Sequence, residues 1–300
     1  MERNRLAAWR YRFRTMTNRT ATSTQSAAPI GALTPGHLDE ALALSRQAGW
    51  PHRREDWALV LGLSRGFAAF EGGRLVGTAL ATPFGAHVAT VNMVIVDEAM
   101  RGRGLGRRLM DAAMQAVAGR EQRLVATRDG LPLYEKLGFR AVGQIVQRQG
   151  PAPLVKQLSP AVDWRLAAAD MDRIAEIDRA ATGADRAALL RTLAAAGAIA
   201  VLRDEGGVGG FVGLRAFGRG QVAGPVAARS QAEARALLEA AFARCAGGFV
   251  RVDTPDSELD AWLAAKGLAA AGGGVPMVRD PRPRPAAPFH TFALASQALG

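Results

Sequence analysis

The chain has few of the residues that define several common classes of protein. It carries one cysteine in 300 residues, so no disulfide can form within it, and this usage suits a reducing compartment. No apolar run approaches the ~20 residues that a membrane-spanning helix needs. The four histidines share no metal-ligand spacing with one another or with the cysteine, so we expect no metal site. They are His37, His52, His87 and His290. We therefore expect a cytoplasmic protein with no membrane partner.

Lysine is also scarce, because almost all of the 38 cationic residues are arginine. The formal net charge is +11, yet the arginines beyond the first residues are interspersed with acids, which indicates a composition bias. The chain has no helix-turn-helix pattern, no aromatic platform and no zinc-finger spacing. We expect no specific nucleic-acid partner.

Residues 1–28 form a basic arm that changes from arginine-rich to Thr/Ser-rich. The arm lacks the apolar core of a signal peptide, and its composition is typical of a disordered segment. Two other interpretations stay open from the sequence: an organellar transit peptide, and a translation start at Met16.

The stretch from Val91 to Met110 runs from an apolar strand-like segment through a glycine-rich turn into an amphipathic helix. A helix N-terminus presents unpaired backbone N–H groups and a partial positive charge, so this layout favours an anion. A P-loop is excluded because no lysine–hydroxyl pair follows Gly106, and a dinucleotide fingerprint is excluded because Arg107 stands where the third glycine should be.

Two spaced motifs carry a more specific resemblance. The first is Arg101-x-x-Gly104-x-Gly106, and the second is a short segment that contains Tyr134-x-x-x-Gly138-Phe139. Their order and separation resemble the acetyl-coenzyme A signature of the GNAT superfamily of N-acetyltransferases. In physical terms, the helix from about Leu105 to Val117 has one apolar stripe that packs on a sheet, while its first turn is left to hold a ligand.

The resemblance implies a set of site residues. Backbone N–H groups of the turn and the first helical turn hold the cofactor pyrophosphate, and the strand before them aligns the pantetheine arm. The implied cofactor-binding residues are Val94, Ile95, Val96, Arg101, Gly102, Arg103, Gly104, Leu105, Gly106, Arg107 and Arg108. Tyr134 is the implied catalytic residue, which protonates the departing thiolate; an ordinary half-buried aromatic residue is the alternative.

The order of predicted elements, β-α-α-β-β-β-α-β-α-β, is that of an α/β (mixed α+β) domain and matches the GNAT order. The second half repeats it weakly, so we expect two tandem GNAT-like domains, each a twisted mixed sheet flanked by helices. The predicted divisions are the arm at 1–28, an acetyl-CoA-binding domain at 29–150, a linker at 151–161, a degenerate domain at 162–279 and a proline-rich tail at 280–300.

The second domain departs from the first where the chemistry is expected. Its helix start has no glycine in the first turn, and Ser230 with Glu233 forms a capping box that satisfies the N–H groups a pyrophosphate would use. Its later helix carries Trp262 but no matching tyrosine. We hypothesise that this domain supports the first or shapes the acceptor site.

The function implied by the resemblance is transfer of an acetyl group from acetyl-CoA to a primary amine of a small molecule or peptide. The amine attacks directly in a ternary complex. The alternative is a non-catalytic protein that binds or senses acyl-CoA. Asp97 and Glu98 lie beside the motif, but the sequence identifies no general base. A homodimer is left open.

Overall fold

The computed structural model describes residues 28–300, so the predicted arm lies outside the described residues almost entirely. In this part of the chain no helix is both long enough and apolar enough to cross a membrane. The strands are β1 (Ile30–Ala32), β2 (Arg65–Glu71), β3 (Arg74–Phe84), β4 (Val88–Val96), β5 (Glu121–Ala126), β6 (Arg140–Ala141), β7 (Ile145–Pro151), β8 (Val162–Asp163), β9 (Gly197–Asp204), β10 (Gly207–Phe217), β11 (Gly220–Ala228), β12 (Phe249–Thr254), β13 (Ala269–Arg279) and β14 (His290–Ala293). The helices are α1 (Leu38–Gln47), α2 (Arg54–Gly62), α3 (Leu105–Ala116), α4 (Leu131–Lys136), α5 (Asp170–Thr182), α6 (Ala187–Ala196), α7 (Gln231–Arg244) and α8 (Ser257–Ala265).

The strands form one continuous mixed sheet, and the same order of elements occurs twice along it. In the first half β2, β3 and β4 form an antiparallel meander that is followed by α3, β5 and α4. In the second half β9, β10 and β11 form the matching meander, followed by α7, β12 and α8. The predicted duplication of a mixed α/β GNAT-like fold is therefore confirmed.

Helix α3 packs on the first half of the sheet through the predicted apolar stripe. Leu105, Leu109, Met110, Ala113 and Met114 are buried, and the polar positions between them face solvent. The opposite face of the same strands is covered by α1 and α2, and α6 from the second half joins that core. The sheet thus fixes both ends of the glycine-rich turn that precedes α3.

The two halves exchange strands at the centre of the sheet. Strand β7 follows the first half in sequence, yet it pairs along its length with β12 of the second half. Strand β13 comes from the second half, and its last five residues, Val275–Arg279, pair with β5 of the first half. Its beginning pairs with β7. The sheet therefore crosses the divisions predicted at residues 150 and 162, and each half contains a strand from the other.

Strand β14 lies within the segment predicted as a proline-rich tail. It pairs with β11, and the backbone N–H of Leu294 donates to the carbonyl of Asp253 on β12, 2.8 Å away. Ala295 and Leu299 are fully buried. The end of this segment is therefore part of the sheet and core: Phe292 and Ala293 pack in the second-half core, and Ala295 and Leu299 pack in the core that α1 and α2 cover.

We predict that Gly273→Ala destabilises the protein by about 1–3 kcal/mol more than Gly272→Ala, as measured by urea unfolding. Both glycines have a φ that side chains rarely adopt, 145° and 135°. A methyl group at Gly273 would meet the backbone carbonyl of Ile145 where β13 crosses onto β7, whereas a methyl group at Gly272 would meet open space. Equal losses in the two variants would contradict the importance of this crossing.

Candidate functional site

Strands β4 and β5 separate at the centre of the first half. These parallel strands pair only over Val88–Thr90 with Glu121–Arg123. Beyond Thr90, no strand in the described residues pairs with the edge of β4 that faces β5. The backbone groups from Val91 to Val96 are therefore available to a ligand on that side.

A bulge in β4 turns the backbone at the mouth of this gap. Met93 has a φ of 49°, which is uncommon for a residue with a side chain, and the register with β3 shifts beside it. The Thr78 hydroxyl donates to the Met93 carbonyl at 2.7 Å and holds the bulge. Of the residues predicted on this strand, Val94 lines a cavity, Ile95 is buried, and Val96 lies close to Gly106 at the start of α3.

The start of α3 has free backbone N–H groups. Gly104 is the N-cap residue with a φ of 73°, Gly102 has a φ of 77°, and no side chain among residues 28–300 caps the helix. The turn residues Arg101 to Gly104 are exposed, whereas Leu105 is buried and anchors the helix. Because the four N–H groups at a helix start have no partner within the helix, this end can hold an anion.

The arginines around this turn are held loosely. Arg101 lies 3.7 Å from Glu98, Arg103 lies 3.7 Å from Glu71, and Arg107 lies 3.7 Å from Asp111, all with exposed side chains. Exposed ion pairs at this distance are worth little, so these guanidinium groups can turn towards phosphates at small cost. Arg108 has no carboxylate partner within 4 Å in the described part of the chain.

Tyr134 lies in α4, against the end of the β4–β5 gap. Its ring is buried and packs edge to face with Phe139 at 6.3 Å. A methyl group on Gly130 would lie 2.7 Å from the Tyr134 ring, so this glycine leaves the space that the ring fills. Gly138 follows the end of α4 with a φ of 86°, a conformation that favours glycine. Burial raises the pKa of the Tyr134 hydroxyl to about 12.

A cavity of about 590 Å³ joins this gap to the second half of the chain. On the first half it is lined by Val91–Val94 and Tyr134. Its other lining residues include Trp50 and His52 from the loop between α1 and α2, Gln147 and Gln149 from β7, Phe217, Arg219 and Arg251 from the second half, and Ser296–Ala298 from the segment after β14. The cavity therefore needs both halves.

A buried ion pair fixes the two sides of this cavity. Asp56 of α2 accepts hydrogen bonds from Arg215 of β10 at 3.1 Å and from the backbone N–H of Gly218 at 3.2 Å. Arg53 donates to Asp56 and also to the Ala216 carbonyl, 2.9 Å away. Removing one partner of such a pair leaves a buried charge without compensation, so the loop that bears Trp50 is held firmly.

The two carboxylates beside the motif have different surroundings. Asp97 is buried, caps a short 3-10 turn, and accepts a hydrogen bond from Arg74 at 2.7 Å. The hydrogen bond from Arg74 holds the pKa of Asp97 below its ordinary value. Glu98 is exposed and lies near Arg101. Neither residue lines the cavity, so both belong to the support of the turn.

The counterpart of this site in the second half is closed in two ways. Ser230 caps α7 by accepting from the backbone N–H of Glu233 at 3.3 Å, as predicted. The Glu233 carboxylate accepts from the backbone N–H of Arg229 at 2.7 Å, one residue earlier than a capping box requires. Strand β14 fills the gap where β11 and β12 separate.

The sequence alone missed the residues that the fold contributes to the cavity from far along the chain. Histidine spacing gives no signal for His52, yet His52 lines the cavity, while His87 lies exposed in the β3–β4 turn, contacts Arg282 and does not line the cavity. The Trp50-Pro51-His52 cluster between two predicted helices was the available signal for His52. No local pattern marks Arg219 or Arg251.

Comparisons with known proteins identify the same domain family in both halves. Residues 63–141 match the acetyltransferase (GNAT) domain, and residues 174–292 match a second model of the acetyltransferase (GNAT) domain. The chain is 29% identical over 275 residues to the uncharacterized N-acetyltransferase YitH of Bacillus subtilis (strain 168), covering 88% of this chain and 95% of that protein.

Solved structures share the whole architecture. A candidate acetyltransferase from Pyrococcus horikoshii superposes with a TM-score of 0.76 at 18% identity, covering 91% of this chain and 96% of the other. A tandem GNAT protein from the clavulanic acid biosynthesis pathway superposes with a TM-score of 0.60 at 16% identity, covering 84% and 98%. This chain belongs to the GNAT family of N-acetyltransferases and contains two GNAT domains in tandem.

Proposed function

We propose that this chain transfers an acetyl group from acetyl-CoA to a primary amine of a small molecule or peptide, by direct attack in a ternary complex. One observation carries the proposal: the β4–β5 gap, bordered by the uncapped start of α3, opens into the same cavity that Tyr134 lines. Family membership implies an acyl-CoA donor and an amine acceptor. That the acyl group is acetyl and that the acceptor is a primary amine is our proposal.

The residues present fit coenzyme A in the first half. The free N–H groups from Arg103 to Arg107 suit a pyrophosphate, and the unpaired edge of β4 from Val94 to Val96 suits the amide groups of a pantetheine arm. When bound there, acetyl-CoA supplies an acetyl group activated as a thioester. The capped start of α7 and the filled β11–β12 gap argue against a second site in the other half.

Tyr134 is the group that we assign to protonate the leaving thiolate. A tyrosine hydroxyl carries its proton at neutral pH and is able to donate it. Burial, which raises its pKa to about 12, keeps the group from ionising in the resting site. Its ring is held by Phe139 and by the space above Gly130, so the hydroxyl has a fixed position at the edge of the cavity.

His52 is a neutral hydrogen-bonding group in the same cavity. Burial lowers the pKa of its imidazole from 6.5 to about 4, and the rings of Trp50, Trp57 and Phe217 surround it. Its Nδ1 atom is buried and has no hydrogen-bond partner among residues 28–300. A neutral imidazole with so low a pKa accepts a hydrogen bond from an amine but removes its proton poorly, so the amine loses its proton to water before attack.

We predict that Tyr134→Phe lowers kcat by about 100-fold while the Kd for coenzyme A stays within about twofold of the wild-type value. The substitution removes the proton donor and keeps the buried ring. Thiol release across a panel of primary amines gives kcat, and calorimetry gives the Kd. Trp262→Phe, in the matching helix α8 of the second half, is the control and leaves both values unchanged.

Two results would count against this assignment in different ways. Full turnover by the Tyr134→Phe variant would remove the role of the hydroxyl and leave acetyl transfer intact. Binding of coenzyme A by the wild-type protein without turnover on any amine would instead favour the acyl-CoA-binding alternative.

We predict that Gly104→Asp weakens coenzyme A binding by about tenfold or more, and that Gly104→Asn weakens it less. Both side chains compete for the free N–H groups of α3, but only the carboxylate also repels a pyrophosphate. Gly119→Asp is the matched control, since Gly119 has a similar φ of 78° and also faces open space. Unchanged binding by Gly104→Asp would place the pyrophosphate elsewhere.

We predict that His52→Gln reduces the loss of stability on acidification from pH 7.5 to pH 5. The folded-state pKa lies below the unfolded-state value, so the stability that the neutral imidazole contributes is present above pH 6.5 and is lost as pH falls towards 4. A shift of this size lowers the free energy of unfolding of the wild type by about 2 kcal/mol between pH 7.5 and pH 5 through this group. Urea unfolding measures the difference, and exposed His87→Gln is the control. Equal losses in wild type and His52→Gln would refute the burial argument.

A further inference from the structure

The second half supplies a charged wall to the cavity. This wall, here called the acceptor wall, consists of Phe217, Arg219 and Arg251, with Gln147 and Gln149 of β7 beside them. Tyr134 and Val91–Val94 lie on the first-half side of the same cavity. An acceptor amine positioned near Tyr134 therefore extends its remaining part towards the acceptor wall.

We propose that the acceptor is an amine that also carries a carboxylate, as an amino acid does, and that Arg219 binds this carboxylate. The inference rests on the proposed function, since it concerns the acceptor of the same reaction. It goes beyond the family, which implies an amine and says nothing about a second charge.

Arg219 is the guanidinium of the acceptor wall whose charge is free. Arg251 donates to Asp253 at 2.9 and 3.0 Å, and the neighbouring Arg215 donates to Asp56 at 3.1 Å. Arg219 has no carboxylate within 4 Å among residues 28–300, and its guanidinium lies 5.4 Å from the centre of the Phe249 ring. It is thus positioned by an aromatic face and available to an anion.

The backbone under Arg219 is fixed even though its side chain is exposed. Arg219 lies in the tight turn between β10 and β11. On one side the Gly218 N–H donates to Asp56 at 3.2 Å, and on the other Gly220 packs directly against the Phe249 carbonyl. Because the backbone is fixed, a long side chain has fewer conformations to lose when it binds a carboxylate.

The lining of the cavity argues against a cationic acceptor. None of the described residues that line it is Asp or Glu. A polyamine or a lysine-rich peptide would therefore meet the charge of Arg219 with no carboxylate in the lining to compensate it. The cofactor phosphates do not account for Arg219 either, because the α3 turn that suits them belongs to the first half and does not line the cavity.

The apolar part of the lining limits the size and shape of the acceptor. Trp50, Phe217 and Val91 provide apolar surface in the same lining as Tyr134 and Arg219. A cavity of about 590 Å³ accommodates a single amino acid or a short peptide beside an acetyl thioester. Carboxylate recognition by a guanidinium then sets the direction in which the acceptor enters.

The test uses matched pairs of acceptors with the full-length protein. Each L-amino acid, β-amino acid and γ-amino acid of a panel is compared with its carboxamide, which keeps the amine and removes the negative charge. Binding to the protein saturated with coenzyme A is measured by calorimetry, and acetyl transfer by thiol release. Glucosamine 6-phosphate with glucosamine is included as a phosphate-bearing pair.

We expect at least one carboxylate to bind about tenfold or more tightly than its carboxamide. Arg219→Gln should abolish that preference, because it weakens binding of the carboxylate and leaves binding of the carboxamide nearly unchanged. Arg219→Lys should restore part of the preference. The control is Arg191→Gln on α6, an exposed arginine outside the cavity, which should keep the preference.

Three binding results would overturn the inference. The first is equal binding of the carboxylates and their carboxamides, and the second is a preference for the carboxylate that survives in Arg219→Gln. The third is that no carboxylate in the panel binds, which includes the case where only glucosamine 6-phosphate binds more tightly than its uncharged partner. Turnover on uncharged amines with no effect of Arg219 would overturn the inference alone. Loss of acetyl transfer to every amine, with binding of the acids intact, would overturn the proposed function alone.

Discussion

Strand β13 gives backbone hydrogen bonds to both halves of the molecule, and the rest of the structure depends on this sharing. Its first residues pair with β7 and its last five with β5, so one strand closes the first half while it belongs to the second in sequence. Because backbone pairing fixes register, it also fixes how far apart the two halves sit. The cavity between them is a consequence of that spacing.

The two copies of the fold have different uses for the same opening. Where β4 and β5 separate, the edge of β4 is left unpaired and α3 begins without a cap. Where β11 and β12 separate, β14 fills the space and Ser230 caps α7. An unsatisfied backbone edge is costly unless something covers it. In the second half the chain itself covers this edge with β14, and in the first half we propose that the cofactor covers it.

Short-range patterns made the first half and much of the second half predictable from sequence. The start of α7 follows from the capping residue Ser230, and the turn at Gly104 follows from its glycines. Strand β13 was missed because its Ala/Gly-rich start has little strand propensity and its partners lie far away in sequence.

The same distinction applies to the site. The motif residues from Arg101 to Arg108 and Tyr134 belong to continuous segments, and the structure gathers them near one gap as expected. The placement of His52 and Arg219 beside the cavity depends on the pairing of the two halves, which no local pattern encodes. The functional assignments of all these residues stay predictions.

The sharing of β13 also constrains how the protein acquires its structure during synthesis. Val275 pairs with Ala126, about 150 residues earlier in the chain, so β5 emerges from the ribosome long before its partner exists. Until then its outer edge is an open row of backbone donors and acceptors, which invites pairing with other chains. Although the protein has two similar domains, neither sheet is complete until β13 has been made, so the two domains complete their folding together.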